Sequence, residues 1–260
     1  MNLSLKRNKL EGLRPFFYLI ELNITELCDM KCEFCPRSQG YPNSNLNMSL
    51  ETIDLIVEQI KDLEHQPIIH LSGRGEPTLH PQFDIILDKL SHLKVKLSTN
   101  GNRVDRYLNQ INRLNKVDYS IYDESKLSPE EASQKYKFHI VDKRTKNKLK
   151  YNNRAGSIVK DITHNDPRHP VFGLMCEKPF SVIYINYNGD YNLCCNEWFK
   201  PTVLENVQTE PLKDFIKSNE KLKEFQQDLA AGNRTYSPCK SCNKPLHPKA
   251  EKYMYKQLLL

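Results

Sequence analysis

Residues 23–38 read NITELCDMKCEFCPRS and carry three cysteines, Cys28, Cys32 and Cys35, with the spacing C-x3-C-x2-C. Three ligands this close cannot all lie on one regular element, so a loop must wrap them around one face of a metal group. A 4Fe–4S cluster held by three thiolates keeps one iron free to bind a small molecule. Structural zinc needs four ligands, and no fourth cysteine lies nearby in the sequence. The spacing therefore favours a cluster with an open iron over zinc.

The segments around this loop alternate between strand-like and helix-like patterns up to residue 142. Strands are predicted over residues 17–23, 67–71, 95–99, 117–122 and 137–142, and helices over 48–63, 81–93, 103–114 and 128–136. Ser49 and Ser128 are predicted helix N-caps, and Pro129 suits the first helical position. This alternation with short links predicts an α/β fold, in which about five parallel strands are flanked by four helices as an open sheet or partial barrel.

The composition excludes several classes of protein. The chain has 260 residues, 38 Lys and Arg against 32 Asp and Glu, and eight cysteines, with a mean hydropathy of −0.65. A net charge of +6 is too small to predict nucleic-acid binding. No apolar run approaches the ~20 residues of a membrane span, and the N-terminal residues lack a signal peptide's pattern. We therefore expect a cytoplasmic protein whose cysteines serve metal, cluster or redox chemistry.

The second half of the chain has a different pattern. Residues 143–154 carry six cations without an apolar period, and the stretch to about residue 175 is predicted to be a linker or lid. A β-hairpin over 181–195 turns at Asn188-Gly189-Asp190. An amphipathic helix follows over 211–232, with Gly232 as its C-cap. The predicted domains are a core over 1–142, a basic linker or lid over 143–175, a cysteine domain over 176–247 and a tail helix over 248–260.

A second set of cysteines lies in this half. Cys176, Cys194, Cys239 and Cys242 supply four thiolates, which saturate either a 4Fe–4S cluster or a zinc ion. Their spacing alone does not separate these two possibilities. Cys195 is left over from both cysteine sets.

The first cysteine loop resembles that of the radical S-adenosylmethionine (radical SAM) superfamily, because C-x3-C-x-aromatic-C follows the first strand of a β/α chain. The resemblance implies that Cys28, Cys32 and Cys35 hold a 4Fe–4S cluster whose open iron binds S-adenosyl-L-methionine. Reductive cleavage of that cofactor then yields a 5′-deoxyadenosyl radical, which abstracts hydrogen from a C–H bond. Phe34 occupies the aromatic position that packs near the adenine.

Further motifs match the superfamily in order along the chain. LSGRGEP at residues 71–77 resembles its glycine–glutamate motif, where Gly73 and Gly75 allow close backbone approach. Glu76 would then accept a hydrogen bond from the methionine ammonium group, although an ordinary turn is the alternative. By the same resemblance, and because ligands bind at strand C-termini in such sheets, the cofactor-binding candidates also include Ser98, Asn100 and Ser120.

The second cysteine set resembles the twitch domain, the shortened form of the SPASM domain of radical SAM enzymes. The shared pattern is a cysteine, a hairpin with Gly-Asp at its turn, a second cysteine, a helix and C-x2-C. The resemblance implies one fully ligated auxiliary 4Fe–4S cluster held by Cys176, Cys194, Cys239 and Cys242, and it favours a cluster over zinc.

Cyclitol dehydrogenases of this superfamily suggest two substrate residues. They carry an Asn-Arg-Gly-type motif before the twitch domain, and NNRAGS at residues 152–157 stands in its place. Arg154 would then contact the substrate hydroxyl, and one more solvated cation is the alternative. Glu197 matches an acidic position beside the auxiliary cluster, and a surface carboxylate is the alternative.

Cys195 is the third catalytic candidate. A free thiol near the auxiliary cluster could return a hydrogen atom to a substrate radical, as in an epimerase. The alternatives are a small buried hydrophobe or a substitute ligand for Cys194. Because adjacent side chains on a strand point to opposite faces, the sequence favours these alternatives.

Together these features predict a radical SAM oxidoreductase that oxidises a secondary alcohol of a small polyol, sugar or cyclitol, and passes an electron to the auxiliary cluster. The alternatives are an epimerase that uses Cys195, a peptide-modifying enzyme and a non-catalytic zinc module. About 16 residues precede the first strand, which disfavours the peptide-modifying class. The expected partners are a small molecule, either neutral or, in view of the basic run, anionic, and an electron donor such as flavodoxin or ferredoxin. Neither nucleic acid nor membrane is expected.

Overall fold

A computed structural model of the chain describes residues 17–122, 127–143, 153–158, 174–237 and 239–243. The strands of this part are β1 (Leu19–Leu22), β2 (Ile68–Leu71), β3 (Val95–Thr99), β4 (Lys116–Ile121), β5 (His139–Asp142), β6 (Val182–Ile185), β7 (Asp190–Asn192) and β8 (Val203–Asn206). They form one sheet in the order β5-β4-β3-β2-β1-β6-β7-β8. The first six strands are parallel, and β7 and β8 continue the sheet antiparallel.

The helices of the described residues lie between and after these strands. Their bounds are α1 (Leu50–Lys61), α2 (Phe83–Lys89), α3 (Leu108–Ile111), α4 (Pro129–Lys135), α5 (Lys178–Ser181), α6 (Leu212–Ser218) and α7 (Glu220–Ala230). Both predicted N-caps are confirmed. The Ser49 hydroxyl accepts a hydrogen bond from the Thr52 amide, and Ser128 forms a reciprocal capping box with Glu131 ahead of Pro129.

Three predicted elements differ in the structure. The helix predicted over 103–114 is a 3-10 turn, Val104–Tyr107, followed by the short α3. The helix predicted over 211–232 is broken into α6 and α7, because Asn219 caps α7 by accepting from the Leu222 amide at 2.8 Å. Ala231, rather than Gly232, is the C-cap of α7, and Gly232 follows with a φ of 82°. Strand β8 was not predicted.

The parallel strands have one apolar and one polar face. Ile20 and Leu22 of β1 are fully buried and pack with Ile53 and Ile56 of α1 in the main core. Successive side chains of a strand point to opposite faces, so Glu21 of β1 faces away from the helices. His70 pairs with Glu21 on the neighbouring β2. The core therefore lies between sheet and helices, and the other face of the sheet is available for a polar site.

The hairpin of the second cysteine region joins the core sheet directly. β6 pairs with β1 in parallel, from Leu19 opposite Val182 to Leu22 opposite Ile185. The predicted fold class is confirmed, with five parallel core strands, flanking helices and a C-terminal hairpin and helix. The four domain boundaries stay predictions, and the tail helix and most of the basic linker lie outside the described residues. Within the described residues, no helix is long and apolar enough to cross a membrane.

Candidate active site

The first cysteine loop connects β1 to α1. Cys28, Cys32 and Cys35 form no disulfide within the described residues and are partly exposed, and the Cys35 amide donates to the Cys32 carbonyl at 3.0 Å. Asn43 braces the start of the loop: its side chain accepts from the Cys28 amide at 2.9 Å and donates to the Cys28 carbonyl at 3.1 Å. Burial raises the pKa of Cys28 to about 11, and coordination to a cationic iron reverses such a shift. The donor set and its accessibility fit a cluster held by three thiolates.

Arg37 fastens this loop to the glycine loop that follows β2. Its side chain is buried, and Nη2 donates to the carbonyls of Glu26 and Arg74, the latter at 2.9 Å. Nη1 donates to the Pro42 carbonyl at 2.7 Å. The sequence analysis did not single out Arg37, although a cation two residues after a cysteine ligand is a usable signal.

The glycine loop packs directly on the residues that follow β1. Gly73 has a φ of 131°, and a Cβ there would overlap the Asn23 side chain. A Cβ on Gly75 would overlap the Thr25 carbonyl oxygen. Both glycines are therefore required for close approach of the two loops.

Glu76 links the glycine loop to the end of β3. Its buried carboxylate accepts from the Thr78 amide and hydroxyl at 3.2 and 2.8 Å, from the Thr99 hydroxyl at 2.7 Å and from the Asn100 amide at 2.7 Å. Burial raises its pKa, and these hydrogen bonds oppose that shift. The Asn100 side chain donates to Asp29 of the cysteine loop at 2.7 Å. Direct contact between Glu76 and the methionine ammonium stays a prediction.

The other cofactor candidates lie along the same polar face. Ser98 Oγ is 2.8 Å from His70 Nε2. Ser120 shares a side-chain hydrogen bond with Tyr122, and the Tyr122 and Phe34 rings lie 5.5 Å apart. Tyr122 thus contacts both Ser120 and Phe34, and the sequence analysis did not single out this tyrosine.

The four thiols of the second set come from three separate segments. Cys176 precedes α5, Cys194 follows β7, and Cys239 and Cys242 lie in and after a 3-10 turn. A side-chain hydrogen bond with Cys195 is the main cause that raises the pKa of Cys194, and burial is the main cause that raises the pKa of Cys239. The charges of Cys176 and Cys242 raise both pKa values further, which indicates that the four thiols lie near one another.

No three His, Cys, Asp or Glu side chains of the described residues converge as a single metal ion would require. The four thiolates of a 4Fe–4S cluster bind four different irons, so they need no common point. The second donor set is therefore compatible with a fully ligated cluster.

Arg154 lies in the turn over residues 153–158, which in the sequence stands between the first cysteine loop and the second cysteine set. Asn153 is fixed to the C-terminal cysteine loop: its amide donates to Asn243 Oδ1 at 2.9 Å, and its side chain donates to the Ser241 carbonyl at 2.6 Å. Arg154 and Ala155 adopt left-handed φ angles of 48° and 52°. Arg154 Nη1 donates to Asn196 Oδ1 at 3.4 Å. Its contact with substrate stays a prediction.

Glu197 is buried at 2% exposure, so the surface alternative is wrong. Oε1 accepts from the Thr202 hydroxyl at 2.6 Å, whereas Oε2 is buried without a partner among the described residues. Burial raises the pKa of Glu197 to about 7. The Glu197 charge also raises the pKa of Cys239, which places this carboxyl group beside the second cysteine set.

Cys195 does not point away from Cys194, so that expectation is wrong. β7 ends at Asn192, and the alternation of a strand no longer applies two residues later. A side-chain hydrogen bond between the two thiols is the main cause that lowers the pKa of Cys195. Both residues line the same pocket.

This pocket is an open cleft of about 290 Å³, a volume that includes the solvent at its mouth. Residues of β1, the glycine loop, β6, β7 and the second cysteine region line it: Glu21, Asn23, Gly73, Arg74, Tyr184, Ile185, Asn186, Asn192, Cys194 and Cys195. The pocket therefore extends from the end of β1 and the glycine loop to Cys194 and Cys195 of the second cysteine region. The sequence analysis missed Glu21, although a carboxylate inside an apolar strand (LIEL) is a signal for it.

Comparison with protein families assigns both halves of the chain. The model described as the radical SAM superfamily matches residues 22–160, more than half of the sequence. The chain belongs to the radical S-adenosylmethionine superfamily. The SPASM model, described as an iron-sulfur cluster-binding domain, matches residues 176–243. The predicted family is confirmed, and the cofactors are an S-adenosylmethionine-binding 4Fe–4S cluster and an auxiliary cluster.

Individual relatives agree with this assignment. The S-adenosyl-L-methionine-dependent 2-deoxy-scyllo-inosamine dehydrogenase of Niallia circulans is 22% identical over 92% of this chain and 98% of its own length. A GTP 3′,8-cyclase of Mannheimia succiniciproducens is 33% identical over 35% of this chain and 28% of its own length.

Two solved structures share the fold. The structure of BtrN in complex with AdoMet and 2-DOIA has a TM-score of 0.71 at 22% identity, and the match covers 89% of this chain and 95% of that one. Streptococcus suis SuiB bound to its precursor peptide SuiA has a TM-score of 0.54 at 15% identity, and the match covers 93% of this chain and 72% of that one.

Proposed function

We propose that this radical SAM enzyme oxidises a secondary alcohol of a small polyol, sugar or cyclitol to a ketone. The observation that carries the proposal is the pocket that reaches from the glycine loop to Cys194 and Cys195. A substrate held there lies between the two clusters, where hydrogen abstraction and electron removal can act on the same carbon. The full-length similarity to a dehydrogenase that acts on 2-deoxy-scyllo-inosamine supports this reaction.

When bound, the first cluster with S-adenosylmethionine supplies a radical that removes the carbinol hydrogen, and the auxiliary cluster supplies an electron acceptor. The chain's own residues bind, orient and deprotonate. Arg154 holds the reacting hydroxyl, its positive charge stabilises the alkoxide, and the Glu197 carboxylate accepts the hydroxyl proton. Glu197 lies beside the second cysteine set, with an unpartnered carboxylate oxygen among the described residues. The residues proposed to position the cofactor are Phe34, Gly73, Gly75, Glu76, Ser98, Asn100 and Ser120.

Epimerisation is the second candidate function, and the position of Cys195 favours it. Cys195 lines the same pocket as Glu21 and Asn192, so its thiol can face a substrate carbon. An epimerase must return a hydrogen atom to the substrate radical, and a thiol is the natural source. A dehydrogenase has no such requirement.

Anaerobic turnover in deuterated water separates the two reactions. The first probes are 2-deoxy-scyllo-inosamine and myo-inositol, with mass detection of ketone and of incorporated deuterium. For a dehydrogenase, the Cys195→Ala variant retains ketone formation, and the Cys239→Ala/Cys242→Ala variant loses it because the electron has no acceptor. Deuterium on the abstraction carbon that disappears in Cys195→Ala would establish epimerisation instead. If neither probe reacts, the cyclitol assignment fails.

The remaining partners belong to this proposal. Reduction of the first cluster needs a low-potential donor, and a flavodoxin or ferredoxin matches the mildly basic charge of the chain. The proposed location is the cytoplasm, where both cluster thiols and such donors stay reduced.

A further inference from the structure

The pocket contains a buried hydrogen-bond donor that the protein leaves unused. Asn192, at the end of β7, is 6% exposed, and its Nδ2 atom is buried without a partner among the described residues. Buried polar groups are almost always paired, and an exception asks for an explanation such as a bound molecule. Asn192 lines the pocket, so an acceptor atom of a ligand bound there can receive the hydrogen bond that Nδ2 does not make within the described residues.

The same pocket contains an unused acceptor. The Glu21 side chain is 15% exposed, and its nearest ion-pair partner among the described residues is His70 Nδ1, at 3.7 Å from Oε2. That distance is beyond a hydrogen bond. The Glu21 side chain keeps part of its surface exposed and lines the pocket, so a ligand hydroxyl can donate a hydrogen bond to this carboxyl group there.

The two groups lie in one row across the sheet. Glu21 of β1 is opposite Tyr184 of β6, and Tyr184 is opposite Asn192 of β7. Two strand spacings put the Glu21 and Asn192 backbones about 10 Å apart. Side chains that reach inward from both ends of this row can hold two substituents of one small ring.

The charges around Glu21 select the kind of substituent. Burial is the main cause that raises the pKa of its carboxyl group to about 8; the charge of Cys195 raises this pKa further, and the cations Lys178, Arg154 and Lys96 lower it. A neutral carboxyl group offers no counter-charge to a substrate ammonium, which these cations repel, whereas a hydroxyl is neutral. A hydroxyl can also both donate to Glu21 and accept from Asn192.

We propose that Glu21 and Asn192 are the hydroxyl-recognition residues of the pocket, and that they bind two hydroxyls of one neutral ring polyol. Glu21 accepts from one hydroxyl, and the Asn192 amide donates to the other. This inference rests on the proposed function and narrows its substrate class. It makes a neutral cyclitol a better ligand for this chain than an aminocyclitol.

Calorimetric titration of the anaerobic, cluster-loaded enzyme with S-adenosylmethionine tests the inference. The probes are myo-inositol and 2-deoxy-scyllo-inosamine. We expect myo-inositol to bind the unmodified enzyme more tightly. Asn192→Asp, which replaces the donor by an acceptor without changing shape, should weaken myo-inositol binding by about tenfold or more and shift the preference towards the amine. Glu21→Met, which removes both carboxyl oxygens, should also weaken binding of myo-inositol. The exposed Asn233→Asp is the matched control and should bind as the unmodified enzyme does.

Iron content and S-adenosylmethionine binding should stay unchanged in each variant, which separates substrate recognition from folding. Unchanged myo-inositol affinity in Asn192→Asp, or a preference of the unmodified enzyme for the amine, overturns the inference while ketone formation leaves the proposed function intact. If neither ring binds or is oxidised, the proposed function fails and this inference fails with it.

Discussion

At the residue scale, the partners of three buried carboxyl groups distinguish their roles. Burial raises the pKa of Glu21, Glu76 and Glu197. Glu76 receives four hydrogen bonds from the protein and so holds the glycine loop against β3. Glu197 keeps one oxygen without a partner in the described residues, and Glu21 faces the pocket. Similar burial thus yields one structural carboxylate and two that remain available to a ligand.

The Glu21→Gln variant should make the protein more stable in alkali than the unmodified chain. Burial raises the pKa of Glu21 from 4.5 to about 8, so between these values the folded state binds more protons than the unfolded state. Its stability therefore declines as pH rises through this window, and glutamine carries no charge to bury. Thermal unfolding of the cluster-loaded protein at about pH 6 and pH 9 measures the effect.

In that measurement, the difference in melting temperature between Glu21→Gln and the unmodified protein should be larger at the higher pH than at the lower, in favour of the variant. Glu58→Gln is the control, because the Glu58 side chain is 70% exposed. An advantage of Glu21→Gln that does not grow with pH would contradict the burial of a neutral Glu21.

At the scale of elements, the 153–158 turn depends on contacts distant in sequence. Asn153 exchanges hydrogen bonds with residues on both sides of Cys242. The turn is built on Arg154, Ala155 and Gly156, all with positive φ, a conformation that costs energy at the two non-glycine positions. The C-terminal cysteine loop therefore supports the backbone that presents Arg154.

The Asn153→Ala variant should loosen this turn without loss of iron. The alanine keeps the main-chain contact to Asn243 but removes the side-chain contacts to Ser241 and Asn243. We expect faster amide hydrogen exchange over residues 154–158, with iron content and S-adenosylmethionine binding unchanged. The exposed Asn233→Ala, placed after α7, is the matched control. Unaltered exchange in Asn153→Ala would show that these side-chain contacts do not support the turn.

At the scale of the whole molecule, a single sheet positions both cysteine sets. β1 leads into the first cysteine loop, and β6 and β7 lead to Cys194. β6 lies directly beside β1, and Asn23 donates to Asn186 across this pair at 2.7 Å, although the two are 163 residues apart in sequence. The pairing of these strands is what brings the end of β1, which leads into the first cysteine loop, and the second cysteine region to one pocket.

Reconstituted protein should contain about eight irons, as two 4Fe–4S clusters. The combined change of Cys28, Cys32 and Cys35 to alanine should leave about half of this iron, because the second cysteine set binds its cluster independently of the first. Anaerobic iron, sulfide and zinc analysis measures this. About four irons in the unmodified protein would contradict the auxiliary cluster, and zinc at both sites would support a binding module instead.

The sequence by itself determined the features that depend on neighbouring residues. The three-cysteine spacing predicted the first cluster, and the periodicity of residues such as Ile53 and Ile56 predicted α1 and its buried face. The caps at Ser49 and Ser128 were also readable, because a cap acts within one helical turn. These signals are local, so no knowledge of the fold is needed to read them.

Only the tertiary structure decided what the pocket contains. Glu21 and Asn192 face one cavity because β6 inserts beside β1, and no local pattern encodes a pairing between strands so distant in the chain. The same holds for Cys195, because the direction of its side chain is set by the backbone after β7 and no longer by the alternation of a strand. It also holds for Arg154, because contacts between Asn153 and Asn243 stabilise its turn. Long-range pairing and burial, which arise only when the chain is folded, set the partners and the charges of these groups.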